Sequence, residues 1–362
     1  MSKTTIVFVS LVISLIAFVP VHAEWSPKVY NAIKWTERNQ GQLTIAYTTM
    51  EGITRVPLVY NGGIDRNASG DYSNREMELF AQWVRGQLPS DYCGPMVIDY
   101  EQPWRKSLSG RILSPERLQE ILSVYIDGIH FAQGILPSAQ WGYWGMPLLR
   151  NTGKGWQEQN LSLQPLTSQC TALYPDIYDD NRGNEQCKRT KTHISKVLEL
   201  AQGQIPVYVF VSPRFAGEGG NHSHFVPDDV FLRRVNAAMQ AVWVDESGLQ
   251  HRIQGVILWD TYSFSTETEW EALDQKHKYY FELLQALVNA WKKSMGEVQV
   301  DVGLSGASVC EYGLPEPRNS GDTLAVNVTI DAQRRDERMK EFPQVENERI
   351  PSGRVPNNRT IE

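Results

Sequence analysis

At 362 residues, with 41% hydrophobic and 21% charged residues, the chain has a globular composition and is long enough to bury one large core. Its formal net charge of −7 argues against a general affinity for polyanions, so nucleic acid is not an expected partner. With 11 Trp, 15 Tyr and 11 Phe, it has rings enough to line a groove as well as fill an interior.

Residues 1–23 read as a signal peptide: Lys3, an apolar run from Ile6 to Val21, then Val21-His22-Ala23 before Glu24. An apolar run of about 16 residues falls short of the ~20 needed to span a bilayer. The mature chain is therefore expected to begin near Glu24 and to be secreted or periplasmic, with no membrane contact after signal removal. The four cysteines, Cys93, Cys170, Cys187 and Cys310, show no C-x-x-C spacing and would meet an oxidising compartment. Two disulfides are expected. Of the three connectivities, 170 to 187 with 93 to 310 is preferred, because Cys170 and Cys187 bracket one loop-rich stretch. Asn-x-Ser/Thr sequons start at Asn67, Asn160, Asn221, Asn327 and Asn358.

From about residue 42 to 293, short β-branched or aromatic runs alternate with longer amphipathic ones, the pattern of βα units around a parallel sheet. The expected strands are 42–47 (QLTIAY), 55–60 (RVPLVY), 95–101 (PMVIDYE), 139–145 (AQWGYWG), 171–178 (TALYPDIY), 206–212 (PVYVFVS) and 255–260 (GVILWD). Expected helices are 74–87, 114–132, 189–202, 227–244 and 267–294. The clearest is 114–132, where Ser114-Pro115-Glu116 supplies a cap, a first-turn proline and an early acid. Residues 148–170 and 179–188 read as long loops. The expected fold class is α/β: a TIM-like (β/α) barrel in a seven-stranded form. It would occupy 24–310 as a catalytic domain, with 311–362 a C-terminal extension that is disordered after 331.

The run Met96-Val97-Ile98-Asp99-Tyr100-Glu101 ends in two carboxylates two residues apart, which strand alternation turns to one face. At the C-terminal end of a barrel strand that face opens on the catalytic mouth. Two like charges in a partly desolvated place resist joint ionisation, so one is expected to stay protonated near neutral pH and serve as a proton donor. Glycoside cleavage needs such an acid plus an assisting carboxylate. Two acids at a strand end also serve to cap loops, so the pair acquires meaning from its company. Trp141, Tyr143 and Trp144, Tyr174 and Tyr178, and Trp259 stand on neighbouring strands, and Tyr178 and Trp259 at strand ends are placed to stack on sugar rings.

The ordered set VIDYE, WGYWGMP, ALYPDIY, PVYVFVSP and GVILWD, covering roughly residues 95 to 265, resembles the strand motifs of the hyaluronidases, glycoside hydrolase family 56. The resemblance implies a seven-stranded barrel and a hyaluronidase-like endo-N-acetylhexosaminidase that retains configuration, with the substrate's own N-acetyl carbonyl attacking the sugar carbon. It implies Glu101 as the acid, Asp99 as the carboxylate that orients the acetamido group, Tyr178 as its hydrogen-bond partner and Trp259 as the wall behind it. Trp144 and Tyr143 are the expected substrate-binding residues on the fourth motif, where Trp144 stands in place of the family's tyrosine. After the acid, Gln102-Pro103-Trp104-Arg105 shifts the family's Trp-Arg-Pro order.

The expected partner is thus a polysaccharide or oligosaccharide, with no cofactor. His222 and His224 have no nearby acid or thiolate pattern to make a metal set. Asp176 and the pair Asp179-Asp180 read as loop acids. Arg105, Arg111 and Arg150 follow strand ends and would supply any basic groove. Two rival readings stay open: a catalytically silent sugar-binding barrel, and a two-carboxylate glycosidase of another family with Asp260 as nucleophile.

Overall fold

A computed structural model describes residues 25–110, 113–148, 160–179, 185–216 and 224–296. The expected signal peptide, Arg111, Arg150, Asp180, His222, Cys310 and the C-terminal extension lie outside them, as does the side chain of Cys187. In chain order, β1 (Lys28–Asn31) leads through α1 (Gln42–Met50) to β2 (Thr54–Arg55) and β3 (Leu58–Tyr60), then α2 (Asn61–Ile64), α3 (Asn74–Gln87) and β4 (Pro95–Asp99). There follow α4 (Arg105–Gly110), α5 (Pro115–Ile135), β5 (Gln140–Tyr143), α6 (Gln164–Thr167), α7 (Glu185–Ala201), β6 (Tyr208–Val211) and α8 (Asp228–Met239). A short hairpin of β7 (Trp243–Val244) and β8 (Gln250–His251), then β9 (Gly255–Leu258) and α9 (Trp270–Gly296), complete the described elements.

Helix starts follow local chemistry. At α3 the Ser73 hydroxyl accepts from the Glu76 N–H, while the Glu76 carboxylate accepts from the Ser73 N–H at 3.0 Å, a reciprocal cap. At α5 the Ser114 oxygen accepts from the Arg117 N–H and Pro115 occupies the first turn. The expected helix 227–244 stops at Met239, because Val242 to Leu249 form a hairpin whose turn is tied by Asp245 Oδ1, which accepts from the N–H of Ser247 and Leu249.

The expected strand 42–47 is a correction: those residues are helical, in α1. Asp274 of α9 accepts hydrogen bonds from the N–H groups of Leu43 and Thr44 at 2.8 and 2.9 Å, capping the helix from a distant segment. Thr44 and Thr48, one turn apart, are its buried positions. The first strand is instead 28–31, which pairs in parallel with both β2 and β9.

The fold is α/β, with parallel sheets flanked by helices. One sheet runs β2-β1-β9-β6 and another β3-β4-β5, all pairs parallel. Residues 54–60 touch both: the Val56 N–H donates to Asn31 O at 2.8 Å, and Pro57 O accepts from the Val97 N–H at 3.2 Å. Segment 171–177 does the same at the other edges. The Ala172 N–H donates to Trp141 O of β5 at 3.0 Å, and the Ile177 N–H to Phe210 O of β6 at 2.9 Å.

Alternation along the strands separates two apolar layers. Met96, Ile98, Trp141, Val209 and Leu258 pack outward into the large cluster beneath the helices. Tyr30, Val97, Tyr174, Tyr208, Phe210 and Ile257 form the inner cluster. Each fully buried ring removes enough apolar surface to contribute ~2–3 kcal/mol. Inside, Tyr174 stacks on Tyr208 at 5.7 Å and Tyr30 meets Tyr208 edge-on at 5.4 Å. Their hydroxyls do not go to waste: Tyr174 donates to the Gln140 carbonyl and Tyr208 to the Gln140 side chain. Gly142 makes this filling feasible, since a Cβ there would lie 2.3 Å from Ala172 O and 2.8 Å from the Tyr174 ring.

Candidate active site at the C-terminal end of β4

β4 delivers Asp99 by parity. Met96 and Ile98 face the helices while Val97 joins the inner cluster, so Asp99 follows Val97 to the inner face. Tyr100 turns the other way, 3% exposed; its hydroxyl donates to Asp65 Oδ2 at 2.8 Å and its carbonyl accepts from the Tyr125 hydroxyl at 2.9 Å. Burial pushes the Tyr100 and Tyr125 phenols well above their ordinary range, so both stay protonated as donors. Pinned at Tyr100, the strand end leaves Asp99 on the opposite side, and Glu101 lies two residues beyond β4.

Beyond Glu101 the chain passes a cis Gln102-Pro103 bond into α4. The first residue of that helix, Arg105, folds back. Its guanidinium lies 3.6 Å from Glu101 Oε1 and 3.5 Å from Asp176 Oδ1, donates to Trp144 O at 2.9 Å, and sits 4.2 Å over the Trp144 ring. Asp176 is sealed at 0% side-chain exposure, whereas Glu101 is 46% exposed and open to solvent. Arg105 is thereby held between two carboxylates with its side chain 12% exposed. Gly145, with φ of 67°, gives it room: a Cβ there would fall 2.3 Å from Arg105 Nη2.

The aromatic wall stands beside this cluster. Tyr178, 8% exposed, stacks on Trp259 at 5.7 Å with planes 18° apart. Trp144 lies 5.8 Å from Tyr178 and its indole N–H donates to the Tyr178 hydroxyl at 3.3 Å. Beyond Trp259, Phe264 is 41% exposed and meets the tryptophan edge-on at 6.4 Å. Glu101, Trp144, Tyr178 and Trp259 are thus linked by a continuous set of contacts through Arg105.

Tyr143 is a correction. It is 2% exposed, packs on Tyr125 at 4.7 Å and donates its hydroxyl to Tyr125 O, all in the outer layer beneath α5. The alternation that brings Trp144 to the inner cluster turns its neighbour to the helix side.

Asp260 is also turned away, one position past inward-facing Trp259. At 0% exposure its oxygens receive Arg214 Nε at 2.9 and 3.0 Å, His277 Nε2 at 2.8 Å and the Thr261 N–H at 2.8 Å. A carboxylate so enclosed is closed off from solvent, which argues against the two-carboxylate reading.

Cys170 is a free thiol in the structure, buried and hydrogen-bonded to Leu166 O, and burial pushes it up to about 12. Cys93 is buried as well, and the expected pairings with Cys187 and Cys310 involve side chains outside the described residues. Asn160, the second sequon, is buried with its amide clamped on the backbone N–H and C=O of Leu148 at 2.8 and 2.9 Å. Among the described residues no cluster of His, Cys, Asp and Glu is arranged to hold a metal, and no helix is long and apolar enough to cross a membrane.

Two further residues beside Asp99 were missed in the sequence. Lys34 follows β1 on the same parity as Tyr30 and Ala32, and its ammonium lies 4.3 Å from the Tyr60 ring centroid. Burial pulls its pKa down, and the Asp99 carboxylate partly restores it. Tyr60 ends β3 in register with Asp99. The alternation Val56, Leu58, Tyr60 would have marked Tyr60 as inward; Lys34 required knowledge of where β1 lies.

No protein-family profile matches the sequence, and no curated protein matches it. Among solved structures, bee venom hyaluronidase superposes with a TM-score of 0.53 at 13% identity, over 72% of this chain and 99% of the venom protein. A second crystal structure, of bee venom hyaluronidase in complex with a hyaluronic acid tetramer, gives 0.49 at 12% identity, over 69% and 95%. The first of these likenesses establishes a shared fold.

Proposed function

We propose that this chain is a secreted glycoside hydrolase that cuts an N-acetylhexosamine-containing glycan, hyaluronan or a related polymer, by substrate-assisted retention. The single observation that carries the reading is the Arg105 guanidinium, which joins half-exposed Glu101 to Trp144 and through it to the stacked pair Tyr178 and Trp259. The scaffold in this reading is one closed seven-stranded barrel: β1, residues 54–60, β4, β5, residues 171–177, β6 and β9. Support comes from the hydrogen bonds that tie 54–60 to both β1 and β4, and 171–177 to both β5 and β6. The fold shared with a venom hyaluronidase supports it too. The apolar leader at residues 1–23 supports export.

In the proposed reaction Glu101 gives its proton to the glycosidic oxygen as the bond from that oxygen to C1 breaks, the bonding pair leaving with the oxygen. The acetamido carbonyl oxygen of the same sugar bonds to C1 on the opposite face, so positive charge rests on a cyclic oxazolinium. Asp99 lies across from that charge and stabilises it, Tyr178 donates to the acetamido oxygen, and Trp259 closes the wall behind it. Water then adds to C1, returning a proton to the Glu101 carboxylate and opening the ring with net retention.

The rival is a silent sugar-binding barrel, favoured by one observation, the tryptophan at 144 where the family has a tyrosine. Turnover separates the two. Reducing ends released from hyaluronan, chondroitin and chitin oligosaccharides should appear with the unaltered chain and fall by ~10²–10⁴ in Glu101→Gln. Equal rates for the two proteins would remove Glu101 from the chemistry.

A further inference from the structure

Trp144 is held at three points. Its N–H continues the ladder to Ile98 O at 3.0 Å, its carbonyl accepts from Arg105, and the Arg105 guanidinium lies 4.2 Å over its ring. What remains to be placed is the indole N–H, which is directed at the Tyr178 hydroxyl 3.3 Å away. Tyr178 is held in turn by its stack on Trp259, so its ring cannot swing clear of that contact without breaking 5.7 Å ring packing.

The chemistry of the two groups fixes the sense of this bond. An indole nitrogen has a proton and no acceptor lone pair, whereas a phenol oxygen has one proton and two lone pairs. In this bond Tyr178 must accept, and its own O–H is steered away from Trp144. A tyrosine at 144 would impose no such sense, because two hydroxyls can exchange donor and acceptor roles. We infer that Trp144 is a positioning residue, whose indole N–H holds the Tyr178 hydroxyl in the donor sense toward the acetamido oxygen of the substrate. Trp144 therefore acts through Tyr178 and replaces the lost hydroxyl with a one-way donor. This inference rests on the glycosidase reading and adds to it a device that keeps the site competent without the family's tyrosine.

A double-mutant cycle tests it, with kcat and KM measured on whichever N-acetylhexosamine oligosaccharide the unaltered chain cleaves. Trp144→Phe keeps an aromatic ring under Arg105 and removes the donor together with the indole's second ring; kcat should fall at least roughly tenfold, the worth of one such hydrogen bond, with little change in KM. In a Tyr178→Phe background the same change should alter kcat less than about twofold, because the group it acts on is gone. Multiplicative losses, or full activity of Trp144→Phe, overturn the inference while leaving the glycosidase reading intact. Absence of turnover by the unaltered chain overturns that reading and this inference together. An activity-independent measurement accompanies the cycle: with ¹⁵N-tryptophan labelling, the Trp144 indole N–H resonance should move upfield in Tyr178→Phe. An unmoved resonance would also overturn the inference.

Discussion

Asp260 holds Arg214 by presenting both carboxylate oxygens to one guanidinium N–H, at 2.9 and 3.0 Å, with the two side chains 0% and 4% exposed. His277 reaches the same carboxylate from α9. The cluster ties the segment after β9 to the segment after β6 and to α9, one position beyond Trp259.

Removal of one partner from a buried ion pair leaves the other charge without compensation, at a cost of ~3–5 kcal/mol. Asp260→Ala should lose about that much stability to urea, and added azide should not restore turnover. A stable Asp260→Ala protein that forms a glycosyl azide would instead mark Asp260 as a nucleophile and revive the two-carboxylate mechanism.

At Gly145 two penalties coincide. A side chain in this left-handed conformation costs ~1–2 kcal/mol, and the new methyl would displace the Arg105 guanidinium from Glu101 and Asp176. Gly145→Ala is therefore expected to stay folded yet lose up to ~100-fold in kcat, as small misplacements of reacting groups do. Wild-type turnover from that variant would show that the Arg105 bridge is dispensable.

Thiol chemistry distinguishes a structural Cys170 from a bonded one. With its pKa pushed up to about 12 by burial, the group stays in the unreactive thiol form at pH 8, since only the thiolate attacks an alkylating agent. Iodoacetamide should spare Cys170 in the native protein and modify it in urea without any reductant, as peptide mass spectrometry would reveal. Protection that persists in urea until a reductant is added would establish a disulfide to Cys187 or another cysteine.

Legibility in the sequence followed the range of the forces involved. Ser73 with Glu76, and Ser114 with Pro115, act within one turn, and the helices they start were readable from the residues alone. Asp99 was placed by alternation along β4, which is equally local. The helix at 42–50 was not readable, because its first N–H groups are satisfied by Asp274, 231 and 230 positions away from Leu43 and Thr44. β1 is four residues long, too short for its alternation to stand out, and Lys34 stayed hidden with it. Tyr143 was an avoidable error: the parity that turned Trp144 inward already sent its neighbour to the helices.

The hydroxyl-tied rings of Tyr30, Tyr174 and Tyr208 have a topological consequence for access to Asp99. They fill the space between the strands beneath Asp99, so on the proposed reading a glycan would reach the carboxylates from the strand ends alone. On that reading a cut polymer would lie across the strand ends and would not be threaded between the strands.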